Sequence, residues 1–209
     1  MDDSSGFRMD VGVPLVVPEV NAFDLEDHKG IVSIPNCSTT PLVMVLKPLS
    51  QLAKVKRVVV DTFQSVTGTG SAALQEMTKQ SEKILNGEAA TPEEYPHQIA
   101  FNVFPHIEPF QENGYTREEM KMLHETRKIL HGSEVKVSAT CVRVPVAVSH
   151  SEAVHIEFKS SVEVEHVRAV LSKSLGISVV DDPKTRSYPL PIQVEGKDDI
   201  YVGRIRRDK

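Results

Sequence analysis

Tryptophan is absent, aromatic residues make up only 5% of the 209 positions, and 24 basic side chains are outnumbered by 29 acidic ones, for a net charge of −5. A general nucleic-acid surface needs basic groups interleaved with stacking rings, so no nucleic-acid partner is expected. The short basic tail GRIRRDK does not alter that. No run approaches the roughly 18 apolar residues of a membrane span, and MDDSSGFRMD has neither the basic start nor the apolar stretch of a secretory signal. A soluble, cytoplasmic protein with no membrane partner is the expectation. Only two cysteines occur, Cys37 and Cys141, far apart and without a C-x-x-C pair, which excludes a zinc knuckle and a disulfide framework. His124 and Glu125 start the zinc-protease pattern H-E-x-x-H, but the second ligand position is Lys128, which cannot bind a metal while protonated. No metal site is expected.

What is present suffices for a globular core: 40% of the residues are hydrophobic and 25% charged. VPLVVPEV reads as a brief strand broken by Pro14 and Pro18, followed by a polar turn from Asn21 to Lys29. IVSIPNCSTTPLVMVLKPL passes from a strand into a helix, with Ser38 to Thr40 as caps and Pro41 in the first turn. KVKRVVVDTFQSV is a strand that runs through TGTG into the helix SAALQEMTKQSEKIL, closed by Asn86-Gly87. Four prolines space the loop from Gly87 to Thr116. Thr116 and Glu119 form a capping box for REEMKMLHETRKIL, whose buried stripe is expected to be Met120, Leu123 and Leu130. EVKVSATCVRVPVAV and EAVHIEF suggest two strands paired with each other, VEVEHVRAVLSKSLG an amphipathic helix, and ISVVD and IYVGRIR two further strands. The fold class this gives is α+β, a mixed β-sheet flanked by helices.

Cys37 lies just ahead of a helix N-terminus, where unpaired backbone N–H groups and the positive end of the dipole should lower its pKa below the free value of about 8.5. The same amides, with the Asn36 side chain, could serve an oxyanion. The alternative is a small apolar residue at a helix start. Gly68 and Gly70 sit between strand and helix, where a backbone loop can approach a phosphate, or where a tight turn simply needs glycine. Arg143 shares a strand face with Val137, Ala139 and Cys141, so its guanidinium wants a carboxylate or phosphate, or a sheet-edge salt bridge. His150 can move protons near neutral pH or be an ordinary surface histidine. Glu118 and Lys121, three apart at a helix start, read as a surface ion pair.

Taken together, PNCST at 35–39, FQSVTGTG at 63–70 and VSATCVRVPVAVSHS at 137–151 occur in the order and context of the aspartate-semialdehyde dehydrogenase family, and the third segment resembles its signature. The resemblance extends to SSGFRMD, VPLVVPEVN, GYTREEMK, ETRKIL and VGRIRRD, and so covers nearly the whole chain. It implies the catalytic and dimerisation domain of the aspartate-semialdehyde and glyceraldehyde-3-phosphate dehydrogenase type. It implies Cys37 as the nucleophile of an acyl-thioester, His150 as its acid/base and Gln64 as a substrate-orienting amide. Arg143 would clamp the substrate carboxylate with Glu118 beside it, Arg8 and Lys121 would hold phosphate, and Thr67 and Gly68 would touch NADP. The implied reaction converts β-aspartyl phosphate to aspartate semialdehyde, feeding lysine, threonine and methionine synthesis, in a homodimer.

The family also implies a cofactor-binding domain of about a hundred residues ahead of this segment and a helix after it. The expectation is therefore a fragment, with 1–36 a remnant of the NADP-binding domain and linker, and 37–209 the catalytic domain shortened at its end. Such a chain is not expected to turn over alone. The competing readings are a non-catalytic dimerisation fragment, N-acetyl-glutamyl-phosphate reductase or another acyl-phosphate reductase, and a cysteine hydrolase built on Cys37 and His150.

Overall fold

The architecture is that of a computed structural model, which describes residues 1–208. In chain order the elements are α1 (Pro18–Asn21), α2 (Thr39–Leu49), β1 (Val55–Gln64), α3 (Ser71–Leu85), α4 (Arg117–Ile129), β2 (Lys136–Arg143), β3 (Ser151–Phe158), α5 (Val164–Leu171), β4 (Ile177–Val179), α6 (Pro191–Val194) and β5 (Ile200–Val202). Short 3-10 turns cover Ala22–Asp27 and Val66–Gly68. Among the described residues no helix is long and apolar enough to cross a membrane.

β1 is the most β-branched run in the chain and takes the central place, giving the order β2-β1-β3. β2 joins it parallel, with Gln64 opposite Arg143, and β3 joins it antiparallel, with Thr62 opposite Glu152. The strands expected to pair with each other therefore do not: β2 and β3 lie on opposite edges of β1. β2 ends at Arg143, before Pro145, and residues 144–150 carry the chain across the end of β1, where Val144 N–H donates to Gln64 O and Val66 N–H to Val146 O. Because parallel strands end together and an antiparallel partner begins there, Gln64, Arg143 and the residues just before β3 meet at one end of the sheet.

Side chains directly opposite one another share a face. Val58, Val60 and Thr62 of β1 thus lie with Ala139 and Cys141 of β2 and with Ile156, Val154 and Glu152 of β3. Leu42 and Leu46 of α2 and Met122 of α4 cover the apolar part of that face and close the main core. Leu15, Val17 and Val20 of the N-terminal segment pack with Val43, Met44 and Ile129, so the segment is bound to the outer side of α2 and α4. It holds only isolated bridges, Leu15 and Asp2 each to Ser33, instead of the strands expected for VPLVV and IVSIP. Two prolines and a one-turn helix leave too few free N–H groups for a ladder. β4 and β5 form a second, two-stranded parallel sheet packed with α5 around Leu171 and Ile177.

α4 begins at the expected capping box: Thr116 Oγ1 accepts from Glu119 N–H and Glu119 Oε2 accepts from Thr116 N–H. Its buried face differs from the expected one. Met120, Leu123 and Leu130 are half-buried, while Glu118, Glu119, Met122, Glu125, Thr126 and Ile129 are buried. Three inward glutamates are tolerable because each carboxylate meets donors: Glu119 Oε1 accepts from Cys141 N–H at 3.0 Å, and Glu118 and Glu125 serve the site described next.

Candidate active site

Residues 35–38 turn into α2 directly above the polar end of the sheet face. Asn36 is the hinge of that turn. Its N–H donates to Glu125 Oε2 at 2.7 Å, its Nδ2 donates to both oxygens of Glu118 at 2.9 and 3.0 Å, and its Oδ1 accepts from Ser38 N–H. The amide expected to face an oxyanion is thus turned onto Glu118, a carboxylate that α4 brings from a distance no local pattern reveals. Gln64, at the end of β1, donates from Nε2 to the same Glu118 at 3.0 Å and accepts from Thr62 Oγ1. Lys121 donates to Glu118 at 3.3 Å and to Glu108 at 2.5 Å. The pair read as a surface one is largely buried, with Glu118 3% exposed.

Glu125 joins the network from its far side. Its Oε1 accepts from Arg8 Nη1 at 3.1 Å, and Arg8 Nη2 donates to Asp3 O. Burial pushes the Glu125 carboxyl up, against the pull of the Asn36 N–H and the Arg8 charge. Arg8 is therefore a buried partner of Glu125, with its Nε buried and without a protein partner. Lys128 secures the same stretch by donating to the carbonyls of Arg8, Asp10 and Val13. That is the work of an ammonium group at the place where the zinc pattern needs a ligand. Among the described residues no group of three histidine, cysteine or acidic side chains is placed to hold a metal.

Cys37 follows Asn36 with its side chain exposed, whereas Cys141 is buried beside Met122 and its thiol is pushed up to about 12, chiefly by burial. The Cys37 thiol is pushed up as well, contrary to expectation. Desolvation within the turn is the main cause and the Glu118 carboxylate the second. The Ser38 hydroxyl and the N–H groups at the start of α2 act in the expected direction and are outweighed.

Arg143 ends β2, 5% exposed. Its Nη1 donates to Ser65 O at 2.6 Å, its guanidinium carbon lies 5.8 Å from the Tyr95 ring centroid, and its Nε is buried with no protein partner. His150 stands beside it in the crossing segment, with Nδ1 3.0 Å from Ser65 N and 3.1 Å from Ser65 Oγ. Burial first, then the Arg143 charge, hold the imidazole down to about 4, with Glu118 pulling weakly the other way. At neutral pH the resting site thus combines a neutral thiol with a neutral imidazole.

Thr67 and Gly68 belong to the turn after β1. Thr67 Oγ1 donates to Ala147 O at 2.8 Å, so its hydroxyl hydrogen is engaged within the chain. A side chain at position 68 would crowd its neighbours: a Cβ there would lie 3.0 to 3.2 Å from the His150 ring and Arg143 Nη1. Sequence reasoning missed Glu125, Ser65 and Tyr95. Tyr95 Oη bonds Val66 O and Thr69 Oγ1, and its loop is clamped by α3, where Glu76 accepts from Glu93 and Glu94 N–H and Gln80 from Ile99 and Ala100 N–H. A glutamate and a glutamine four apart on α3 were the available signal, though nothing local names their partners. Glu152, two residues beyond His150, keeps a carboxyl oxygen shut off from water without a partner, and burial raises it to about 8.

The semialdehyde dehydrogenase dimerisation domain matches residues 46–209. The aspartate-semialdehyde dehydrogenase of Aquifex aeolicus is 50% identical over 212 residues, which cover 100% of this chain and 62% of that protein. The crystal structure of aspartate semialdehyde dehydrogenase II from Vibrio cholerae complexed with ASA superposes with a TM-score of 0.95 at 41% identity, over 99% of this chain and 62% of that one. The Candida albicans enzyme with NADP has a TM-score of 0.74 at 27% identity, over 99% and 61%. The chain thus spans about 62% of the length of the first of these relatives. With sequence and fold in agreement, this chain belongs to the aspartate-semialdehyde dehydrogenase family.

Proposed function

We infer that this chain forms the acyl-transfer half of an NADP-dependent aspartate-semialdehyde dehydrogenase acting on β-aspartyl phosphate in the cytoplasm, and that it works as a homodimer. The observation that carries this reading is the pair of buried guanidinium Nε groups, on Arg8 and Arg143, that no protein atom satisfies. An unmatched buried donor of this kind is costly unless a ligand completes it, and β-aspartyl phosphate has both a carboxylate and a phosphate to offer. Arg143, with Nη1 fixed on Ser65 O, would hold the carboxylate; Arg8, braced by Glu125, and Lys121 would take the phosphate end.

Cys37 then attacks the acyl carbon. Its S–H proton passes to His150, the C–O bond to phosphate breaks, and an aspartyl thioester on Cys37 remains with free phosphate. Glu118 keeps the Asn36 turn and the Gln64 amide in one frame during this step. The Cys37 N–H, which already favours negative charge at the sulfur, would be a donor to the developing oxyanion, whereas the Ser38 N–H is held by Asn36 Oδ1. NADP, when bound, supplies or accepts the hydride that links thioester and aldehyde. Of its surface this chain fits only the part beside the turn at 65–70, where Gly68 presents bare backbone next to His150 and Arg143. The chain alone is therefore proposed to be acylated without completing turnover.

Acylation needs no cofactor, so the chain itself can be tested. Incubation with freshly prepared β-aspartyl phosphate should release phosphate and add one aspartyl group at Cys37, seen by peptide mass spectrometry, with none at Cys141. Equal labelling of both cysteines would remove the nucleophile assignment. Micromolar NADPH binding to the isolated chain would overturn the proposal that it cannot complete turnover.

A further inference from the structure

Two cations would serve the phosphate end of the substrate, and each is held by a glutamate of α4. Glu125 ties Arg8 to the Asn36 N–H, and Glu118 ties Lys121 to the Asn36 side chain. Both carboxylates are buried, and each has donors besides its cation. Lys121 has a second carboxylate partner of another kind. Glu108 reaches it from the loop before α4, 2.5 Å from Nζ, with its side chain 35% exposed. Among the described residues Lys121 is the only hydrogen-bond partner of that side chain. The backbone shows that the contact is built in. Glu108 has φ 61°, in the left-handed region that a residue with a Cβ enters at a cost. Ile107 before it is fixed in the main core, and Pro109 after it has a locked φ and accepts from Arg117 N–H. Strain over-determined in this way clusters at ligand clamps. Here it presents a carboxylate to the ammonium.

We propose that Glu108 is a resident stand-in for phosphate, paired with Lys121 until the phosphate end of the substrate arrives and takes its place. This rests on the reading of Lys121 as a phosphate-binding group. An ammonium has three N–H donors, and two of these are engaged with Glu108 and Glu118. A phosphate dianion entering beside both carboxylates would meet more negative charge than positive around Lys121, unless one of them withdraws. Glu118 cannot do so without releasing Asn36 and Gln64. Glu108 can, because its half-buried side chain turns to solvent by rotation alone while Ile107 and Pro109 keep its backbone in place. The exchange lowers the affinity for phosphate. In return it holds Lys121 ordered before substrate binds and, by reclaiming the ammonium after acylation, helps the freed phosphate to leave.

The test is a titration of the 209-residue chain with inorganic phosphate, followed through the 1H–15N shifts of the Asn36 and Cys37 amides, which lie at this site. Lys121→Met should weaken binding roughly tenfold. Glu108→Gln should tighten it about fivefold, since the competing charge is gone. Glu108→Gly, which suits the left-handed backbone, should do the same. With Lys121→Met already in place, Glu108→Gln should change the affinity by less than about twofold. A carboxylate that merely positioned the ammonium would act with the opposite sign. Weaker or unchanged binding in both Glu108 variants would therefore overturn the proposal while leaving Lys121 as a phosphate group. An equal gain with and without Lys121 would overturn it as well, by showing general repulsion in place of competition. Unaltered binding in Lys121→Met would remove the reading of Lys121 and the proposal with it. In acylation, the β-aspartyl phosphate concentration that gives half the maximal rate should fall several-fold in Glu108→Gln.

Discussion

The two ends of one sheet face differ more than any two lobes of the molecule. At one end Val58, Val60, Ala139, Val154 and Ile156 meet Leu42, Leu46 and Met122 in a dry core. Two residues further along the same strands the positions hold Thr62, Gln64, Arg143 and Glu152, with His150 just beyond. The pleat is unbroken across the change, so each polar group inherits the rigidity of the packing beside it. α2 and α4 repeat the division, giving leucine and methionine to the dry end and the Asn36–Cys37 turn, Glu118 and Lys121 to the wet one. Most reactive groups here are set at the edge of a core, on helix starts and strand ends, with Arg8 and His150 on irregular segments.

The comparison can be broken from either side. Glu125→Ala should do the largest damage, about 3–5 kcal/mol in urea unfolding, because it leaves Arg8 buried and unpaired and frees the turn before Cys37. Leu46→Ala, wholly at the dry end, should cost roughly 2–5 kcal/mol by the same measurement while the remaining folded chain acylates at close to the normal rate. Arg143→Met should show the reverse, with stability little changed and acylation by β-aspartyl phosphate slowed about a hundredfold through loss of positioning. A pH series separates two groups at the boundary. His150, lowered to about 4, contributes stability present above its ordinary 6.5 and lost as pH falls through 4. Glu152, raised to about 8, contributes stability present below its ordinary 4.5 and lost as pH rises through 8. Between 6.5 and 8 only Glu152 acts, so the unfolding midpoint should decline over that window and stay level in Glu152→Gln. The smallest effect belongs to Tyr95→Leu, which removes the ring beneath Arg143 and should slow acylation a few-fold, with Tyr95→Phe close to normal.

Much of this was legible in the residues. β1 declares itself by its β-branched run, α3 by its uninterrupted helix formers before Asn86-Gly87, and α4 by the Thr116/Glu119 box. Strand order was not legible, because two adjacent β-rich runs look like a hairpin until a third strand, stronger than either, claims the middle. The buried face of α4 was misread for a related reason. Met122 and Ile129, seven apart, mark the true stripe, but Glu118, Glu119 and Glu125 beside it look solvated unless their distant donors are known. The thiol shift failed because desolvation within the turn, and after it the distant Glu118 carboxylate, outweigh the start of α2. Local chemistry was read correctly wherever local groups decided it.

The central position of β1 also has a kinetic side. Its two edges are filled by strands from much later in the chain, and the groups of the site are scattered from Arg8 to His150. Loop closure must precede every one of those pairings, so the nascent polypeptide gains no foothold on substrate until β3 has docked. Assembly should behave as a single slow event, with nucleophile, clamp and proton acceptor appearing together.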